Sequence, residues 1–279
     1  MPPNFVLHIE ELDDYARVIA SMNLSVIFHF NLQILQSLEL ENVGWILPRG
    51  YDYRRIAYIF GLRSSLKIIR LRNCFLPHIP NLVDSNELHL IDCHYWDPPS
   101  RQWRPICQRS DSNSHSGMQI WPYLQTLTIG PLIKHIIPLS LPSLHTLELI
   151  GVSNVSTVLL FISDLSLRNL KTFIMSHERH PLLRRPAKST IYGLEHGITT
   201  LFAKANNIRY IDGPRVLLLG ILNLLHAHPP SFVDKPKGLT LREREENLEV
   251  SLTGAESAEQ LNDLALNYFR VSLPCHIPL

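Results

Sequence analysis

The side chains best suited to chemistry in this chain are its 4 cysteines and 14 histidines. Cys93 and His94 are adjacent, with Cys74 nearby, and His177 lies close to His180. A zinc site needs three or four such ligands converging tetrahedrally. No CxxC or HExxH occurs, and neither group supplies a full ligand set. Cys74 and Cys93 read as small inward side chains that pack a core, and His177 and His180 as members of a solvated loop. No metal or cofactor is expected. Nucleophilic catalysis needs a Cys or Ser beside an oriented base. Cys107 lies between Arg104 and Arg109, which would favour its thiolate, yet it reads as a surface thiol. Asp13-Asp14 and Glu245-Glu246 read as helix-end or solvated charge. Arg179, Arg184, Arg185 and Lys188 could touch phosphate, but no aromatics are interleaved and a solvated loop is the simpler reading. The chain has no GxGxxG, GxxxxGK[ST] or GxSxG.

Composition narrows the classes further. Of 279 residues, 45% are hydrophobic and the formal net charge is +1. Such a chain can bury a sizeable core. It lacks the basic excess that would make nucleic acid or an anionic membrane its main partner. Glycine is scarce at 12, which leaves few phosphate-cradling loops. The longest apolar run, Val216–Leu225, is broken by Gly220 and Asn223. It falls short of the ~18 residues that span a bilayer. Met1-Pro2-Pro3-Asn4 has no basic leader pattern. A cytoplasmic or nuclear protein is expected, with reduced cysteines and unused sequons at Asn23 and Asn154.

Leucine, at 47 residues, organises the chain. Four segments carry an apolar-x-apolar pair with a further apolar residue three before and three after. They are Leu35-Leu38-Leu40-Val43, Leu66-Ile69-Leu71-Cys74, Leu124-Leu127-Ile129-Leu132 and Leu144-Leu147-Leu149-Val152. Leu88-Leu90-Cys93 and Leu170-Phe173-Met175 are near matches. Leu7-Ile9, Ile208-Tyr210 and Val250-Leu252 are weaker. Three units share a phrase: LQSLEL, LQTLTI and LHTLEL. The pairs recur at intervals of 31, 31, 19, 39, 20 and 26 residues, starting from Leu7. A repeat of roughly 20–29 residues is the leucine-rich spacing.

Helical patterns fill the gaps. Glu10–Met22, Tyr53–Leu62, Ser153–Leu165, Leu194–Ala205, Pro214–Ala227 and Ser257–Phe269 each place apolar residues on one face. Ser153 and Asn154 can cap, and Pro214 suits a first turn. Asp97–Gln119 reads as an exposed insertion, Ser176–Thr190 as a basic loop and Lys235–Asn247 as a charged, solvent-facing stretch.

One strand and its helix cannot bury their apolar faces alone, so units stack and share a core. The expected architecture is an α/β, irregular leucine-rich-repeat solenoid. A curved parallel sheet would lie on its concave side, with helices and loops on the convex side. Residues 1–180 form the arc, with the insertion at about 97–119. Residues 181–279 form a weaker continuation or a helical C-terminal cap.

These irregular repeats, poor in asparagine and with Cys74 and Cys93 at the repeat-ending position, resemble the degenerate leucine-rich repeats of F-box-associated proteins, particularly the fungal sets. The resemblance covers about residues 4–180 and more weakly 181–270. No F-box is visible ahead of the first unit near Asn4. The resemblance implies the substrate-recognition part of an F-box-type ubiquitin-ligase receptor, with a ligase adaptor as partner if an F-box is supplied upstream.

On the residues alone, the expected function is non-catalytic protein–protein interaction. The alternatives are a scaffold unrelated to ubiquitin ligases, or an α/β hydrolase- or transferase-type enzyme with a clustered, buried His/Asp/Glu/Cys site. Side chains between the inward leucines should line the concave face: His8, Glu39, Arg70, His89, Thr128, Glu148 and Ile174. Their mixed signs suit a protein partner better than a polyanion. Simple solvation of a sheet face is the competing reading.

Overall fold

A computed structural model describes residues 4–8, 36–41, 67–76, 84–97, 102–105, 119–130, 139–152, 162, 165–177, 190–227, 238–243, 248–253 and 256–269. The chain forms two compact units, Met1–Leu141 and Pro142–Leu279. The sequence reading places its boundary later, at 180/181.

The first unit contains β1 (Asn4–His8), β2 (Ser37–Glu41), β3 (Ile68–Arg72), β4 (Phe75–Leu76), β5 (Glu87–Ile91), β6 (His94–Asp97), β7 (Gln102–Pro105), β8 (Gln119–Ile120), β9 (Thr126–Gly130) and β10 (Leu139–Ser140). β1, β2, β3, β5 and β9 pair side by side, all parallel. The alternation in SLELE, IIRLR and ELHLI sends every second residue to one face, as a strand requires. Leu38, Ile69, Leu88 and Leu127 share one row, and Leu40, Leu71, Leu90 and Ile129 the next. All eight are buried. At about 1.5–3 kcal/mol per buried side chain, these rows fix the register.

β3, β5 and β9 are entered in the same way, and β3 and β5 are left in the same way. Lys67 N–H donates to Gln36 O, Asn86 N–H to Lys67 O and Gln125 N–H to Asn86 O. At the exits, Asn73 and Asp92 adopt positive φ of 49° and 52°. The next residue is Cys74 or Cys93, each buried and placed to bond two carbonyls. Cys74 Sγ lies 3.5 Å from Leu40 O and 3.2 Å from Arg72 O. Cys93 Sγ lies 3.3 Å from Leu71 O and 3.4 Å from Ile91 O. The two thiols therefore tie the exits of β3 and β5 to the strand before each.

The stretch read as an insertion is partly strand. β7 pairs antiparallel with β6, which pairs parallel with β4. The predicted helices Glu10–Met22 and Tyr53–Leu62 lie outside the described residues, as do most of Ser153–Leu165 and of the basic loop.

The second unit contains β11 (Thr146–Val152), β12 (Thr172–His177), α1 (Thr190–Lys204), β13 (Tyr210–Asp212), α2 (Arg215–Ala227), β14 (Leu239–Glu243), β15 (Leu248–Leu252) and α3 (Ala258–Phe269). β11 to β14 are parallel neighbours in chain order, and β15 returns antiparallel beside β14. Leu147, Phe173, Ile211, Leu241 and Val250 form its buried row. Gly151, with φ 67°, stands where Asn73 and Asp92 stand in their repeats, and the register shifts there. Turns ahead of the strands repeat too. Asn169 Nδ2 donates to Pro142 O at 2.8 Å, and Asn207 Nδ2 to Arg168 O at 2.9 Å.

α2 buries Leu217, Leu218, Ile221, Leu222, Leu224 and Leu225. It packs against α1, α3 and β14. α3 begins with a reciprocal cap: Gln260 N–H donates to Ser257 Oγ at 3.2 Å, and Ser257 N–H to Gln260 Oε1 at 2.7 Å. This capping box satisfies two N-terminal donors.

One segment corrects the sequence reading. Lys235–Asn247 is not a solvated stretch throughout, because it contains β14, with Leu239, Leu241 and Glu243 buried. The alternation of Leu239 and Leu241 outweighs the surrounding charge. Among the described residues, the segment 181–279 contains the parallel strands β13 and β14 and the helices α1, α2 and α3.

Candidate polar face of the repeat strands

The residues opposite the buried leucine rows form the candidate site. Glu39, Arg70, His89 and Thr128 are directly paired across β2, β3, β5 and β9, as their spacing requires. His8 does not join that rung. Val6 is the residue paired with Glu39, and His8 pairs with Glu41. The true apolar pair of β1 is Phe5 and Leu7, opposite Leu38 and Leu40, so the expected register was two residues late. Thr128 is on the rung but only 1% exposed, which removes it from any surface a partner could touch. In the second unit Glu148 pairs with Ile174, and both are half-buried. Their rung continues through Asp212, Arg242 and Glu249.

Charges on the first unit's face are arranged by strand. Glu39 and Glu41 stand on β2, Arg70 and Arg72 on β3, and Glu87 and His89 on β5. Arg70 Nη2 donates to Glu87 Oε1 at 2.5 Å, and Arg70 Nη1 is 3.8 Å from Glu39 Oε2. Arg72 Nη1 is 3.6 Å from Glu41 Oε1. His89 Nε2 lies 2.8 Å from the same Glu87 oxygen that Arg70 meets. Strands about 4.8 Å apart bring such side chains together without further construction.

Glu87 is the centre of this network. Burial alone would raise its carboxyl pKa, but the hydrogen bonds from His89 and Arg70, with their charges, outweigh it and hold the value below the ordinary one. Glu87 was not among the expected site residues, because it sits one rung below Arg70 and meets it diagonally. The available signal was the polar alternation Glu87-Leu88-His89.

The second unit holds a comparable cluster. The Tyr210 hydroxyl, 3.4 Å from Arg242 Nη1, raises the guanidinium's pKa, with smaller support from Asp212 and Glu249. Asp212 is 2% exposed, so the outer part of this rung is Arg242 and Glu249. None of Tyr210, Asp212, Arg242 and Glu249 was anticipated as a site residue.

Cys74 and Cys93 spend their side chains on core carbonyls. Among the described residues no group of three or more His, Cys, Asp or Glu side chains is placed to hold a metal ion. Among the same residues no helix is long and apolar enough to cross a membrane. The side chains of Cys107, His177, His180 and the basic loop lie outside the described set. Compared with protein-family models, curated proteins and solved structures, the chain matches none.

Proposed function

We propose that this chain is a non-catalytic protein-binding module of irregular leucine-rich-repeat type, and that the polar face of its first unit is the binding surface. The network Glu39–Arg70–Glu87–His89 carries this reading. It sets opposite charges on three neighbouring strands at fixed spacing, backed by fully buried leucines. A rigid array of mixed sign discriminates between protein partners by complementarity and rejects a uniform polyanion. The recurrent left-handed exit, the thiol ties and the asparagine bonds between turns support the repeat reading. Reduced, buried thiols support a cytoplasmic or nuclear setting.

The likeness to F-box-associated repeats extends the proposal to substrate recognition for a ubiquitin ligase. Co-purification of the ligase adaptor with the full chain tests that extension; capture of other partners without it favours a scaffold.

The face itself is tested by photo-crosslinking in cells, with p-benzoylphenylalanine replacing Arg72 in one experiment and Glu259, on α3, in another. Protein adducts from position 72 that vanish in the Glu39→Lys/Arg70→Glu variant are the expected result. Adducts formed equally from both positions, or unchanged by that variant, would overturn the assignment.

A further inference from the structure

The second unit separates its charges by strand end. His145, Lys171 and Arg209 each stand immediately before a strand, at the entries to β11, β12 and β13. Their backbones are stacked. Lys171 N–H donates to His145 O at 2.9 Å, Arg209 N–H to Lys171 O at 2.8 Å and Thr240 N–H to Arg209 O at 2.8 Å. Arg168 stands in the turn ahead of Lys171, and its carbonyl accepts from Asn207. Arg168, Lys171 and Arg209 are exposed, and His145 is half-buried. Among the described residues, none of these three exposed cations has an ion-pair partner. The carboxylates of the same sheet lie toward the other strand end. Glu148 and Asp212 follow His145 and Arg209 by three residues, about 10 Å along the strand, and Asp212 is buried. Glu256 is held by the Thr253 hydroxyl at 2.7 Å. Like charges on neighbouring strands destabilise a sheet. Lys171 and Arg209 are such a pair, so the row weakens the fold unless an anion meets it.

We propose that this row is a second binding surface, separate from the polar face of the first unit, and that its ligand is an acidic segment of a protein. Three exposed cations are fewer than the 6–10 phosphate contacts of a typical nucleic-acid site and fewer than the 4–8 of a lipid-binding basic cluster. Among the described residues no exposed Phe, Tyr or Trp lies in the row to stack a base. Tyr210, next to it in the chain, is half-buried with its hydroxyl 3.4 Å from Arg242 Nη1. The exposed large hydrophobics of this unit, Val216 and Leu266, stand on α2 and α3, so the row carries no apolar wedge for a bilayer. The exposed neighbours are Ser166, Asn169, Asn206 and Asn207, which suit a polar chain. Carboxylates meet Lys and Arg singly, by charge-assisted hydrogen bonds, and two or three such contacts fill the row.

The test uses the full chain and fluorescent dodecapeptides of alternating Ser-Glu and Ser-Lys, with a dT oligonucleotide and phosphatidylserine vesicles as further probes. The Ser-Glu peptide should bind about tenfold more tightly than Ser-Lys. Lys171→Gln should weaken it about threefold. Lys67→Gln, the same charge change at a strand entry of the first unit, should leave it unchanged. Arg168→Gln/Lys171→Gln/Arg209→Gln should abolish binding, and Arg168→Lys/Lys171→Arg/Arg209→Lys should retain it. Circular dichroism checks that each variant is folded. Absence of Ser-Glu binding overturns the proposal, as does equal binding of Ser-Lys or equal loss in Lys67→Gln. Oligonucleotide or vesicle binding that is tighter than that of Ser-Glu, and lost in the triple Gln variant, also overturns it and assigns the row to phosphate. Crosslinks from position 72 report on the first unit's face, so failure here leaves that reading standing.

Discussion

Asn73 and Asp92 hold one place in successive repeats. Each follows the last residue of its strand, each has a positive φ, and each donates its N–H across to the next repeat, to Ile91 O at 2.8 Å and Gly130 O at 2.5 Å. The left-handed region is open to Gly, Asn and Asp, and costs a β-branched residue roughly 1–2 kcal/mol. Asn73→Val and Asp92→Val should therefore each destabilise the first unit by about that amount, whereas Asn73→Gly should be nearly neutral. Urea unfolding of the three variants checks the ranking.

Acid should weaken the first unit through Glu87. Its folded pKa lies below the ordinary carboxylate value. The unfolded state then binds the proton more readily, so stability rises with pH across that interval. The contribution is complete above the unfolded pKa and is lost as pH falls through the lowered folded value. Glu87→Gln should lower the Tm at neutral pH but flatten its decline on acidification below about pH 5. Thermal scans between neutral and acid pH compare the two slopes.

The asparagines of the second unit should add stability in parallel. Asn169 and Asn207 each donate a side-chain hydrogen bond to the turn of the preceding repeat. Asn169→Ala and Asn207→Ala should each cost about 1 kcal/mol, since a typical net hydrogen bond contributes about that much. Chemical denaturation of the single variants measures it.

Leu71 is 1% exposed and lies between Leu40 and Leu90. Leu71→Asp places a charge among apolar side chains at a cost of several kcal/mol, enough to unfold the first unit. Leu71→Ala should cost about 2–5 kcal/mol and leave a folded chain. Circular dichroism separates the two outcomes.

The strands of the middle repeats were legible because buried leucines must alternate with outward residues. The same rule failed at β1, where Phe5-Val6-Leu7 and Leu7-His8-Ile9 both satisfy it, and only pairing with Leu38 and Leu40 decides between them. It failed at β14 for a different reason: the charges of the surrounding segment concealed two alternating leucines. α2 was readable from Pro214 and its apolar face, and α3 from its apolar face alone; the cap at Ser257 emerged only with the structure. For the face, Glu39, Arg70 and His89 followed from strand period alone. Glu87 did not, since a diagonal contact depends on the register of two strands. The burial of Thr128 did not either, because residue type carries no record of what covers it.

The register of β2 against β3 underlies both the repeat core and the proposed surface, and cross-linking reads it directly. Glu39 and Arg70 are paired neighbours, whereas Glu39 and His89 are two strands apart. A disulfide needs Cα atoms about 4.4–6.8 Å apart, and adjacent strands lie about 4.8 Å apart. On mild oxidation, the Glu39→Cys/Arg70→Cys chain should form its bridge in the folded state, identified by mass spectrometry, and the Glu39→Cys/His89→Cys chain should not. A bridge in the second chain and none in the first would contradict the stacked repeat.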